Sequence, residues 1–135
     1  MGPLERARLE TTIAAQDLER ARLFYAQKLG LTPTSEGQIG LRFRLADGGR
    51  FRLFRSGGKA SGAHTQMAMM VDDLVAVVKE LRARGVQFEE YDSPTLKTTG
   101  GIADLGYARA AWFKDSEGNL IGIAQPLDVA SDAAG

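Results

Sequence analysis

The sequence predicts an α+β fold made of two tandem βαβββ modules that share a cleft, and three observations predict it. A near-repeat comes first: Asp17-Leu18 opens a stretch that runs through Phe24-Tyr25 to Leu29-Gly30, and Asp73-Leu74 opens another that runs through Leu81-Arg82-Ala83-Arg84 to Gly85. Each stretch follows a short apolar run and leads into strand-like sequence with a Gly-rich turn. A linker of Ser, Gly, Lys and Ala separates the two copies. A half-domain repeated in tandem implies pseudo-twofold symmetry and a cleft between halves. Module one is expected at about 9–56, the linker at 57–63, module two at about 64–126 and a flexible tail at 127–135.

Module one begins with a strand over Leu9 to Ala15. Thr11, Ile13 and Ala15 fall on one face, and Glu10, Thr12 and Ala14 on the other. Asp17 is a good helix N-cap, because its carboxylate accepts from free amides of the first turn. Leu18, Ala21, Phe24, Tyr25 and Leu29 recur at helical spacing, and Gly30 can take the left-handed stop. Strands are expected over Leu31 to Glu36, Gly40 to Leu45 and Arg50 to Arg55, with a hairpin turn at Asp47-Gly48-Gly49.

Module two repeats the order. Thr65 to Val71 reads as a strand, and Asp73 caps a helix whose stripe is Leu74, Val77, Val78 and Leu81, stopped by Gly85. Val86 to Tyr91 reads as a strand, with Glu89-Glu90 as solvated edge charges. Ser93 to Gly106 is a long Thr/Gly-rich loop, a length often used for lids or binding loops. Tyr107 to Phe113 and Asn119 to Gln125 form a hairpin around Asp115-Ser116-Glu117-Gly118. The tail from Asp128 to Gly135 is small and polar and is expected to fray.

Seventeen basic residues balance seventeen acidic ones, so charge gives no reason to expect a nucleic acid or an anionic membrane as partner. The absence of cysteine excludes disulfides and thiolate ligands. No apolar run approaches the ~18 residues of a membrane helix, and Met1 to Arg8 lacks the apolar stretch of a secretory signal, so a cytoplasmic location is expected.

Three segments resemble the vicinal oxygen chelate superfamily, which holds glyoxalase I, extradiol dioxygenases and the fosfomycin- and bleomycin-resistance proteins. They are the first strand into Asp17-Leu18, Phe24-Tyr25 and Leu29-Gly30-Leu31; Val71-Asp72-Asp73-Leu74 through Gly85-Val86; and Trp112-Phe113-Lys114-Asp115-Ser116-Glu117-Gly118-Asn119-Leu120-Ile121. The last departs from the usual Asp-Pro-Asp-Gly-Asn at Ser116 and Glu117. The resemblance implies paired curved mixed sheets around a cleft, a small-molecule ligand and a homodimer. It also implies that active members hold a divalent metal at four strand positions, two per half.

Those positions fall here on Glu10, Gln66, Gly122 and Arg52, the last if Phe51 and Leu53 face the helix. Two are oxygen donors and two are not. A divalent ion about 5 Å from a guanidinium is repelled by roughly 6–7 kcal/mol at an effective dielectric near 20. A Glu10–Arg52 ion pair across the cleft is the better expectation, and no cofactor is expected. If a metal is present, Glu10 and Gln66 are its candidate ligands. His64, the one histidine, falls on the Gln66 face by period two.

The cleft wall is expected to hold Thr12, Ala14, Phe54, Gln66, Ala68, Met70, Trp112, Leu120, Gly122 and Ala124, with Tyr107 and Arg109 flanking the long loop as binders of an anionic or carbonyl group. The leading expectation is a protein that binds a small organic ligand in the β-sheet cleft without a catalytic metal. The alternatives are a metal-dependent lyase, isomerase or dioxygenase using Glu10 and Gln66, metal-free chemistry with Glu10 as base, and a regulatory or partner-binding domain.

Overall fold

A computed structural model describes residues 2–127, so the tail from Asp128 lies outside the described residues. Module one consists of β1 (Thr11–Ala15), α1 (Leu18–Gln27), β2 (Ser35–Gly37), β3 (Gly40–Arg44) and β4 (Arg50–Arg55). Module two consists of β5 (Thr65–Met70), α2 (Leu74–Ala83), β6 (Ala103–Asp104), β7 (Ala108–Lys114) and β8 (Leu120–Pro126). Each makes a four-stranded mixed sheet, ordered β1-β4-β3-β2 and β5-β8-β7-β6. In both, the first strand of the module lies parallel to the last. The predicted α+β fold of two tandem βαβββ modules is the one observed. No helix among the described residues is long and apolar enough to cross a membrane.

Both helices start as their caps dictate. The Asp17 carboxylate accepts from the Arg20 amide at 3.0 Å, and the Asp73 carboxylate accepts from the Ala76 amide at 3.1 Å. Both stop on a glycine with positive φ, Gly30 at 71° and Gly85 at 97°. The α1 stripe buries Ala21 and Tyr25 against Ile13, Leu41, Phe43, Phe51 and Leu53. Phe43 and Phe51 stack at 4.6 Å between centroids, with Tyr25 packed on both. Each such ring contributes roughly 1.5–3 kcal/mol by burial. The α2 stripe of Leu74, Val78 and Leu81 does the same against Ala111, Phe113, Ile121 and Ile123. Phe24, Leu29 and Met67 pack on both cores, which joins the modules along the helix side of the sheets.

Three predicted elements differ. Leu31 to Glu36 yields only the short β2, because Pro33 has no amide to donate to a ladder. Val86 to Tyr91 shrinks to a single bridge between Phe88 and Phe113. Glu90 is not a solvated edge charge: its carboxylate accepts from the Thr98 hydroxyl at 2.6 Å and from the Gly101 amide at 3.0 Å. Those bonds hold its carboxyl below the usual carboxylate range, the Thr98 hydroxyl contributing most. They also tie back the 93–106 segment, which contains β6 and two tight turns rather than an open loop.

Candidate ligand site

Strand alternation sorts the side chains of the first sheet. Ile13, Leu41, Phe43, Phe51 and Leu53 go to the helix, so Thr12, Ala14, Arg42, Arg44, Arg50, Arg52 and Phe54 lie on the opposite, cleft face. The register that puts Phe51 and Leu53 toward the helix is therefore the observed one. Glu10 meets Arg52 at 3.4 Å, and it also meets Arg42 at 3.3 Å. The pair lies within one sheet face rather than across the cleft. Arg52 further donates to the Ile39 carbonyl at 2.7 Å and stands over the Phe54 ring at 5.8 Å. A hollow of about 350 Å³ opens here, lined by Arg8, Glu10, Arg42, Phe43, Arg44 and Arg50.

In the second sheet, Ala111, Phe113, Ile121 and Ile123 go to the helix, so Trp112, Gly122 and Ala124 lie on the cleft face. A register shift between Thr65 and Met67 leaves Gln66 as the extra residue. Thr65 thereby comes over Gly122: a Cβ at Gly122 would meet the Thr65 methyl at 3.4 Å and the Trp112 Nε1 at 3.3 Å. The Gln66 amide lies 3.3 Å from the His64 ring. Tyr91 packs edge-on against Trp112 at 5.6 Å. Met70, 62% exposed, lines a second hollow of about 580 Å³ where Leu9, Thr11 and 45–51 of module one meet 67–70 of module two.

Tyr107 and Arg109 flank the 93–106 segment, as expected, and Arg109 lies off the cleft face. Arg109 shares the face of Ala111 and Phe113, and it lines a depression with Val75, Lys97, Thr99, Ile102 and Asp104 on the α2 side. Period-two counting back from Phe113 was the signal that placed it there. Tyr107 precedes β7 and is 66% exposed. The structure thus groups Glu10 with Arg52, and Trp112 with Gly122, and sets Tyr107 and Arg109 apart from both.

The four positions where the family resemblance implies a divalent cation do not fit one. The carboxylate of Glu10 is shared by two guanidiniums, one of them at a ligand position. Gly122 has no donor, and the space above it is taken by Trp112 and Thr65. No group of three or more His, Cys, Asp or Glu side chains suited to a metal occurs among the described residues.

Sequence reading missed the junction that fixes the two modules. The β7–β8 turn inserts beneath the start of α1. Asp115 Oδ1 accepts from the Glu117 and Asn119 amides, both at 2.9 Å. Asp115 Oδ2 accepts from the Tyr25 hydroxyl at 2.7 Å and from Asn119 Nδ2 at 3.0 Å. Asn119 Nδ2 also donates to the Ala14 carbonyl at 2.9 Å. Burial, followed by the Asp115 charge, pushes the Tyr25 phenol well up. Glu117, a departure from the usual family pattern, accepts two bonds from Arg20 at 2.8 and 3.0 Å and one from the Asp17 amide at 3.0 Å.

The Arg20 fork holds the Glu117 carboxyl at about 2 against the opposing effect of burial, with the Asp17 amide and the Ser116 hydroxyl adding to the lowering. A depressed folded-state pKa contributes stability above the ordinary value of 4.5 that is lost as pH falls toward 2. Arg20 is 54% exposed, so solvent screening reduces the contribution to about 1–2 kcal/mol. Urea unfolding at stepped pH is expected to show this loss between pH 4.5 and 2, and Glu117→Gln is expected to flatten that part of the curve.

A fold of two βαβββ modules with an arginine-rich face on one sheet and an apolar face on the other defines a class of cleft-forming small domains. The chain belongs to the Glyoxalase/Bleomycin resistance protein/Dioxygenase superfamily, whose family model matches residues 8–123. Solved structures agree on the fold. A glyoxalase/bleomycin resistance protein/dioxygenase from Alicyclobacillus acidocaldarius is 17% identical, with a TM-score of 0.66, covering 91% of this chain and 93% of that one. One of the same description from Nocardioides is 23% identical, with a TM-score of 0.63, covering 88% and 82%. A glyoxalase/bleomycin resistance protein from Catenulispora acidiphila is 22% identical, with a TM-score of 0.62, covering 89% and 98%. No curated protein matches the chain.

Proposed function

We propose that the protein binds a small organic ligand on its cleft faces and does so without a catalytic metal. The observation that carries this reading is the engagement of Glu10 by both Arg42 and Arg52. A carboxylate held between two guanidiniums is a poor cation ligand, because a metal ion bound there would be repelled by both of them. On the second sheet, the face of Trp112, Gly122 and Ala124, with Met70, supplies apolar contact surface. The homodimer implied by the family resemblance is part of the proposal.

The test is metal analysis of protein purified without chelator, followed by thermal-shift screening with and without EDTA. The expected result is sub-stoichiometric metal and ligand-induced stabilisation that EDTA leaves unchanged. Binding at a hundredfold excess over Kd stabilises by about 2.7 kcal/mol, so a hit is readable. Stoichiometric Ni, Zn, Mn or Fe, or loss of the ligand shift on chelation, overturns the reading.

A further inference from the structure

In the ladder between β3 and β4, Arg42 stands directly opposite Arg52, and Arg44 directly opposite Arg50. All four lie on the cleft face, and Arg42, Arg44 and Arg50 line the hollow together with Arg8. Like charges directly opposite one another oppose sheet pairing. One carboxylate, Glu10, sits among the five guanidiniums and reaches only Arg42 and Arg52. Arg50 has a 3.4 Å contact to the Leu9 carbonyl, which neutralises no charge. The fold does not require this arrangement, since any polar residue satisfies the exposed half of an alternating strand. The chain as a whole is neutral, yet five of its seventeen Lys and Arg residues gather here around a single carboxylate.

We infer that this arginine block binds a small anion carrying two or more negative charges, the phosphate or carboxylate end of the organic ligand. The inference rests on the small-molecule reading above and specifies its chemistry. Guanidiniums recognise such groups by paired N–H donors that a single ammonium lacks. The hollow, about 350 Å³, suits a small molecule. Glu10 holds Arg42 and Arg52 in place, while Arg44 and Arg50 are left to face the anion.

Calorimetric titration with pyrophosphate, with citrate and with a 12-nucleotide single-stranded DNA tests this, each against sodium chloride of equal ionic strength. Saturable 1:1 binding of pyrophosphate or citrate per site is expected, and the stronger of the two identifies the source as phosphate or carboxylate. Arg44→Gln and Arg50→Gln are each expected to weaken it about tenfold, the order of one charge-assisted hydrogen bond, while Lys79→Gln on α2 leaves it unchanged. Guanidinium ¹⁵N shifts of Arg44 and Arg50 in the wild-type protein should move on the same titration, which keeps the test independent of variant folding. Absence of binding beyond the salt control overturns the inference, and so does tighter binding of the DNA or binding insensitive to both substitutions. A neutral ligand that still stabilises the protein would then leave the small-molecule reading standing. Conversely, stoichiometric metal defeats that reading without bearing on the anion titration.

Discussion

Asp115→Ala is expected to destabilise the protein by about 3–5 kcal/mol. Asp115 is 5% exposed and accepts four hydrogen bonds, from the Tyr25 hydroxyl, the Asn119 side chain and the Glu117 and Asn119 amides. Truncation leaves the phenol, and the Asn119 bond to Asp115, without a partner inside the structure. Each buried polar group left unsatisfied costs about 1–3 kcal/mol. The turn also loses the acceptor that orders its two amides. Tyr25→Phe removes only one donor and is expected to cost about 1–2 kcal/mol, since three donors remain on the carboxylate. Urea unfolding of the two variants checks both values. An Asp115→Ala variant less affected than Tyr25→Phe would mean that the junction contributes little.

Gly40→Ala is expected to cost about 3 kcal/mol or more, or to prevent folding of the β2–β3 hairpin. Gly40 has φ 113°, outside the range that a residue with a Cβ adopts readily. A Cβ there would also run into the carbonyl oxygen of Leu53. Backbone and not a flexible side chain is struck, so relief requires β3 and β4 to move apart. That ladder carries the Arg42–Arg52 pairing, so anion binding should fall along with stability. Gly37→Ala, with nothing within 4 Å of the added carbon, is the matched control and is expected to change stability by well under 1 kcal/mol. Thermal unfolding of the two variants side by side decides it.

Helices and strand faces were legible because their signals are local. Asp17 and Asp73 sit just before apolar stripes of period 3.6, and Gly30 and Gly85 just after. Alternation around Phe51 and Leu53 put Arg52 on the cleft face. The pairing of Glu10 with Arg42 was not legible, since it depends on how β3 registers against β4. Yet Arg42-Phe43-Arg44 and Arg50-Phe51-Arg52 carried a readable pattern, two arginines flanking one core aromatic on each strand. The shift at Gln66 had no local mark, and it changed what stands above Gly122. The Asp115 and Glu117 bonds join residues 90 to 100 apart in sequence, beyond any window of periodicity.

That separation shapes how the molecule comes to be. The first helix acquires the partners of its opening turn and of its buried phenol only from the last hairpin of the chain. The Arg20 guanidinium and the Tyr25 hydroxyl therefore gain these partners only once residues 115–119 have joined the fold. Contacts of such long sequence range slow folding. An isolated 2–63 fragment should accordingly show helix without fixed tertiary structure, and adding the 64–127 fragment in trans should order both.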